Sequence, residues 1–202
     1  MKKLLLFVFM FFPGLIGSIN NASALDKGEL VPNFTLDSSQ KKKVSLADFK
    51  GQIVVLEWTN QECPFVKKHY SSNNMQNLQG ESVGKGVIWL SIVSSAPGKQ
   101  GYVTTEQAEK IRLEKGFKST ALLLDPEGKT GKAYGAKTTP HIFIIDREGK
   151  LAYQGAIDDH PSTDAKDIPK SKNYVQEALT DILAGQKVRT AQTSSYGCGV
   201  KY

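Results

Sequence analysis

The chain has 202 residues, 40 % of them hydrophobic, and 26 Lys and Arg against 20 Asp and Glu give a formal charge of +6. That length suits one domain with a full core, and lysines spread along the chain exclude the clustered basic face of a nucleic-acid binder. Two cysteines, Cys63 and Cys198, are too few and too far apart to be a disulfide scaffold.

Lys2 and Lys3 precede an apolar run, Leu4 to Ile16, and Ala22-Ser23-Ala24 has the small-residue pattern of a cleavage site. Residues 1–24 are expected to be a secretory signal peptide cleaved after Ala24, which makes the mature protein periplasmic or secreted. The run is short for a membrane span, is interrupted by Pro13 and Gly14, and no later segment reads as a span. Loss of Lys2 and Lys3 lowers the charge from +6 to +4. In an oxidising compartment, two cysteines are either a disulfide or a working redox pair.

Val31–Asp37 opens as an extended segment, and Lys43–Leu46 pairs with it across a polar turn. Ile53–Trp58 is a strand apolar on both alternations, so both its faces are expected to be buried. A helix follows Cys63 to about Leu78, and Val87–Val93 is a second apolar strand. Thr105–Lys115 reads as a helix, with Thr104 or Thr105 as its N-cap. Ala121–Leu124 is a short strand closed by Asp125-Pro126-Glu127-Gly128. A strand entered through Thr139-Pro140 runs to Asp146 and turns into Leu151–Gln154. Asn173–Ala184 is the last helix, stopped by Gly185. This order predicts an α/β fold with a central mixed sheet and helices on both faces. Residues 25–185 form the expected domain, and 186–202 a polar tail carrying Cys198.

The chemistry concentrates at Cys63. An apolar strand runs into a polar turn, then Cys63-Pro64, then a helical run. That order puts a thiol at a helix N-terminus, where unpaired N–H groups and the dipole favour the thiolate, the reactive form. Pro64 suits the first helical turn because its missing N–H has no partner there. Lys67 and Lys68 add positive charge and read as a solvated helix face. Glu57 is anomalous in an otherwise apolar strand, since a buried carboxylate is costly unless paired or protonated. It is either a proton acceptor for a thiol or a strand-end residue in a salt bridge. Trp58 reads as core or site wall.

Taken together, Val31-Pro32-Asn33-Phe34-Thr35-Leu36, Glu62-Cys63-Pro64-Phe65-Val66-Lys67, Ala133-Tyr134-Gly135-Ala136, Thr139-Pro140, Phe143-Ile144-Ile145-Asp146 and Tyr196-Gly197-Cys198-Gly199-Val200-Lys201-Tyr202 resemble a thioredoxin-fold redoxin. The resemblance is to the peroxiredoxin-like branch of the alkyl hydroperoxide reductase/thiol-specific antioxidant family. It implies a thiol-dependent oxidoreductase with Cys63 as nucleophile and Cys198 as resolving thiol, without a cofactor or a bound metal. The partners are a thiol or disulfide protein, or a peroxide with a thiol reductant. Glu57 matches the buried acid of thioredoxins, and Thr139-Pro140 their cis-proline loop on the substrate side. Asn60, Pro64 and Lys67 would form the thiolate's surroundings.

Three departures from the family pattern keep peroxide reduction and thiol–disulfide exchange both open. Val66 stands where Cys-x-x-Cys has its second cysteine. Asn60 stands where peroxidases carry a threonine, and Thr138-Thr139-Pro140-His141 where they carry an arginine. The alternative, from another class, is a non-catalytic binding protein or copper chaperone using Cys63 with His69 or His141.

Overall fold

The computed structural model describes residues 25–202; the expected signal peptide, residues 1–24, lies outside the described residues. Its core is a seven-stranded mixed sheet in the order β2-β1-β5-β4-β3-β7-β8. The strands are β1 (Thr35–Ser38), β2 (Lys43–Ser45), β3 (Val54–Trp58), β4 (Ile88–Val93), β5 (Ala121–Leu124), β7 (His141–Ile145) and β8 (Leu151–Gly155). β3, β4 and β5 run parallel, while β7 and β8 form an antiparallel hairpin on the far side of β3.

Every residue of β3 is buried, as its apolar alternation requires. Val55 joins one core with Val66, Tyr70, Met75 and Leu179 from α1 (Pro64–Ser71), α2 (Asn74–Gly84) and α5 (Tyr174–Leu183). Val54, Leu56 and Trp58 face the opposite core, which holds Tyr134 from α4 (Lys129–Tyr134). Helix α3 (Thr105–Glu114) lays Ala108 against Val93 and Leu122. The Thr104 hydroxyl accepts from the Gln107 N–H, and Gln107 reaches back to the Thr104 N–H, a reciprocal cap. Helices thus cover both faces, as expected.

Three parts of the chain differ from expectation. The helix after Cys63 breaks at Ser72-Asn73, so α1 and α2 are separate. Ser72 donates to the carbonyls of Lys68 and His69 (2.7 and 3.2 Å), and Asn73 adopts φ +60°. Short polar side chains compete with the helical ladder in this way, and Asn tolerates the left-handed region. Helix α4 follows the expected turn Asp125–Gly128, in a segment to which no element was assigned. The tail, read as polar, docks on the body and adds a small second sheet. That sheet pairs β6 (Thr138–Thr139) antiparallel with β9 (Cys198–Gly199). Among the described residues no helix is long and apolar enough to cross a membrane.

Candidate active site

Cys63 is the N-cap of α1, in extended conformation, with Pro64 at the first helical position. The turn before it is built by Asn60. Its carbonyl accepts from the Cys63 N–H (3.0 Å), its side-chain oxygen from the Glu62 N–H (2.9 Å), and its amide donates to the Gln100 carbonyl (3.3 Å). Asn60 therefore shapes the loop that presents Cys63, and none of these bonds goes to the sulfur.

The Thr139–Pro140 peptide is cis. The Thr139 carbonyl accepts from the Cys63 thiol at 3.1 Å. Thr139 also lies opposite Cys198 in the β6–β9 pair, and its hydroxyl donates to the Cys198 carbonyl at 3.4 Å. Cys63 and Cys198, 135 residues apart in sequence, thus meet at one residue. Both are free thiols. Gly197 permits the approach: at φ +129°, a Cβ there would collide with the Thr139 carbonyl oxygen.

The two thiols are electrostatically unequal. Burial acts to raise the Cys63 pKa. Hydrogen bonds from the Cys198 thiol, the Thr139 side chain and the backbone N–H groups of Val66 and Cys198 outweigh it, and the net shift is downward. Cys198 is pushed up to about 11 by burial and by the neighbouring Cys63 sulfur. Cys63 is the more acidic thiol of the pair, with donors converging on it, and Cys198 the less acidic. Lys67 is exposed and is not among the groups that shift Cys63.

Glu57 is fully buried inside β3. One carboxylate oxygen accepts from the Tyr70 hydroxyl (2.9 Å). The other accepts from Trp89 Nε1 (2.8 Å), Ser91 Oγ (2.9 Å) and Gln79 Nε2 (3.0 Å). Burial raises its pKa against the opposing pull of these four bonds. The salt bridge considered for Glu57 is not among its contacts, and none of its hydrogen bonds goes to Cys63. Its link to the site is Tyr70, which lies on the helix that Cys63 caps.

The expected solvated face of α1 is corrected at one residue. Lys68 is buried, with its ammonium 3.6 Å from Asp158 and donating to the His160 carbonyl (2.9 Å). A buried ammonium needs such partners. Asp158 also accepts from the Tyr196 hydroxyl, and the Tyr196 ring stands edge-on to Phe65 at 5.8 Å between centroids. Tyr196 is two residues before Cys198, so this buried cluster fixes the tail beside the thiol. His69 lies 3.4 Å from the Tyr196 hydroxyl through Nε2 and 2.8 Å from the Asn74 amide through Nδ1. His141 Nδ1 accepts from the Lys137 N–H at 3.2 Å. Burial holds both imidazoles down to about 4, so both are neutral near pH 7. The histidines named for a copper site therefore have these ring nitrogens engaged elsewhere. No group of three or more His, Cys, Asp or Glu with metal-site geometry occurs among the described residues. Trp58 is core, its indole N–H donating to Ser94 Oγ at 2.9 Å.

A parallel β3–β4–β5 unit, a cysteine capping the helix after its central strand and a cis-proline loop beside that cysteine define a thioredoxin-fold oxidoreductase. The chain belongs to the AhpC/TSA family, whose model matches residues 27–154. The match ends before the tail that carries Cys198. Among curated relatives, the thiol-disulfide oxidoreductase ResA of Bacillus cereus is 26 % identical over 135 residues, covering 67 % of this chain and 72 % of that protein. Among solved structures, an uncharacterized conserved protein from Geobacillus kaustophilus has a TM-score of 0.75 at 28 % identity, covering 88 % of this chain and 93 % of its own. A hypothetical protein from Sinorhizobium meliloti 1021 has a TM-score of 0.72 at 26 % identity, with 89 % and 96 % covered.

Sequence reasoning missed the parts played by Tyr196, Asp158 and Lys68. Tyr196 beside Gly197-Cys198 was the visible signal, because an aromatic residue next to a flexible thiol segment can anchor it.

Proposed function

We propose that this chain is an exported two-cysteine thiol–disulfide oxidoreductase in which Cys63 is the nucleophile and Cys198 the resolving thiol. The observation that carries this reading is the meeting of both cysteines at Thr139, one as the low-pKa thiol and the other as its donor. Export rests on the leader-like residues 1–24.

The Cys63 thiolate attacks one sulfur of a partner disulfide. A mixed disulfide forms, and the partner's other sulfur leaves as a thiol after taking a proton. Cys198, losing its proton, then attacks Cys63 Sγ. The partner's second sulfur leaves as a thiol, and a Cys63–Cys198 disulfide remains. The partner has gained two electrons and this protein has lost two, to be restored by an external dithiol.

Thr139 and Pro140 shape the substrate side. Asn60 and Pro64 set the turn and helix start that hold the thiolate. Lys67 contributes a weak positive field from an exposed position, screened by solvent. Glu57 acts as a buried acid tying β3 to α1 through Tyr70.

A second reading, peroxide reduction, is favoured by the single motif cysteine, because that chemistry needs one activated thiolate. Cys63 would attack a peroxide oxygen, releasing water or an alcohol and becoming a sulfenic acid. Attack by Cys198 would then release water and give the same disulfide.

The two readings separate in steady state with an excess of dithiol reductant. Exchange is supported by turnover of an oxidised protein disulfide, and the second reading by turnover of hydrogen peroxide. Cys63→Ser should abolish whichever activity is present. Equal activity of Cys63→Ser and the native protein on both substrates would overturn the assignment.

A further inference from the structure

The tail is fixed on both sides of Cys198, and its far anchor is Tyr202. The Val200 N–H donates to the Lys137 carbonyl (3.1 Å), and the Lys201 carbonyl accepts from the Ala96 N–H (2.8 Å). The Tyr202 ring then seats on α4, and its hydroxyl donates to the Ala136 carbonyl at 2.7 Å. The Lys132 ammonium lies 5.4 Å from the ring centre.

The floor of this seat is Gly128 and Gly131, and a Cβ on either would collide with the Tyr202 ring. Gly128 has its own backbone reason, a left-handed φ of +67° at the helix start. Gly131 lies inside the helix with no positive φ, where glycine is disfavoured relative to alanine. The space that its missing side chain leaves is filled by the Tyr202 ring. The seat is braced from below, with the Asp125 carboxylate accepting from the N–H groups of Thr130 (3.2 Å) and Gly131 (2.9 Å) and from Ser94 Oγ (2.6 Å).

We infer that Tyr202 is a positioning residue for the resolving step: seated on Gly128 and Gly131, it holds the β9 segment so that Cys198 faces Cys63. This rests on the proposed role of Cys198. Tyr196 anchors one end of the segment; without Tyr202 the other end keeps only the Val200 and Lys201 backbone hydrogen bonds, and a more loosely held strand samples more placements of its thiol. Fixing the second end raises the effective concentration of Cys198 at Cys63. The need is real, because Cys198, held near 11, has little thiolate near pH 7 and must gain its rate from proximity.

The test uses 5,5′-dithiobis(2-nitrobenzoate) on the reduced full-length protein. Attack by Cys63 releases one thionitrobenzoate and leaves a Cys63 mixed disulfide. Attack by Cys198 then releases the second and leaves the within-chain disulfide, which peptide mapping identifies. In Tyr202→Ala the second release should slow by roughly tenfold or more, on the scale of lost proximity, with the thermal midpoint little changed. Gly131→Ala touches neither thiol and favours the helix, yet should give the same slowing by closing the seat. Tyr202→Phe keeps the ring and should restore most of the rate.

A second release at the native rate in both Tyr202→Ala and Gly131→Ala would overturn the inference. A native protein that releases thionitrobenzoate without ever forming the Cys63–Cys198 disulfide would instead overturn the resolving role itself. Slowing in Tyr202→Ala without slowing in Gly131→Ala would also count against the seat.

Discussion

The Thr139 carbonyl accepts the thiol proton of Cys63 at 3.1 Å, and it does so from the strand edge that the tail occupies. Cys63 is 0 % exposed, so a partner reaches its sulfur only when the overlying structure moves. Under the proposed mechanism this closed form suits the second chemical step, disulfide closure within the chain, and opening precedes the first.

Replacing Cys198 with Ser tests the division of labour. Cys63 should still react once with a disulfide or peroxide, but turnover should fall by roughly tenfold or more, because no internal thiol clears the intermediate. With peroxide, mass spectrometry should show Cys63 accumulating as sulfenic and then sulfinic acid. Unchanged turnover in this variant would remove Cys198 from the mechanism.

Gly197→Ala places a Cβ against the Thr139 carbonyl oxygen. The β6–β9 pair should open, and alkylation of Cys63 should quicken while the within-chain disulfide forms more slowly. The thermal midpoint should change little, since Tyr196 and Cys198 pack only at the margin of the core that holds Cys63. Slower alkylation in the variant would show that the tail does not cover the thiol.

The pH dependence of alkylation follows from the two shifts. Cys63, depressed below an ordinary thiol, should become reactive first as pH rises, and Cys198 only near pH 11. In stability terms, the lowered Cys63 pKa contributes stability that is full above the ordinary thiol value and is lost as pH falls through its folded value. The raised Cys198 pKa works the other way, its contribution being lost as pH rises through about 11. Alkylation of Cys198 before Cys63 would invert the assigned roles.

The buried histidines set an acid limit. His69 and His141 are depressed to about 4 in the folded protein against 6.5 for the free group. The unfolded chain therefore binds more protons below pH 6.5. Stability should be full above that pH and fall between 6.5 and 4, by up to about 3 kcal/mol per histidine. Urea unfolding at pH 7 and pH 4.5 measures this, and His141→Asn should flatten the slope.

Most of the sheet was legible because apolar runs such as Ile53–Trp58 and Val87–Val93 admit few other readings. The Cys63-Pro64 helix start was legible because Pro fits only the first turn. The break at Asn73 and the docking of the tail were not. The break is local, made by Ser72 bonding back to Lys68 and His69, whereas the docking depends on partners remote in sequence: Lys68 looks solvated until Asp158 is brought beside it, and Gly131 looks like a weak helical position until the Tyr202 ring fills it. Glu57 was visible as an anomaly, but its four donors come from α1, α2 and β4 and carry no local signature. If its work is to tie β3 to α1, Glu57→Gln should alter turnover by less than roughly threefold, whereas a proton acceptor would cost ~100-fold.

The most direct measurement is peptide mapping of the full-length protein after oxidation by one equivalent of hydrogen peroxide without reductant. The account predicts a disulfide between Cys63 and Cys198 of the same chain. Cys63 trapped as sulfinic acid, with Cys198 still a free thiol, would contradict it.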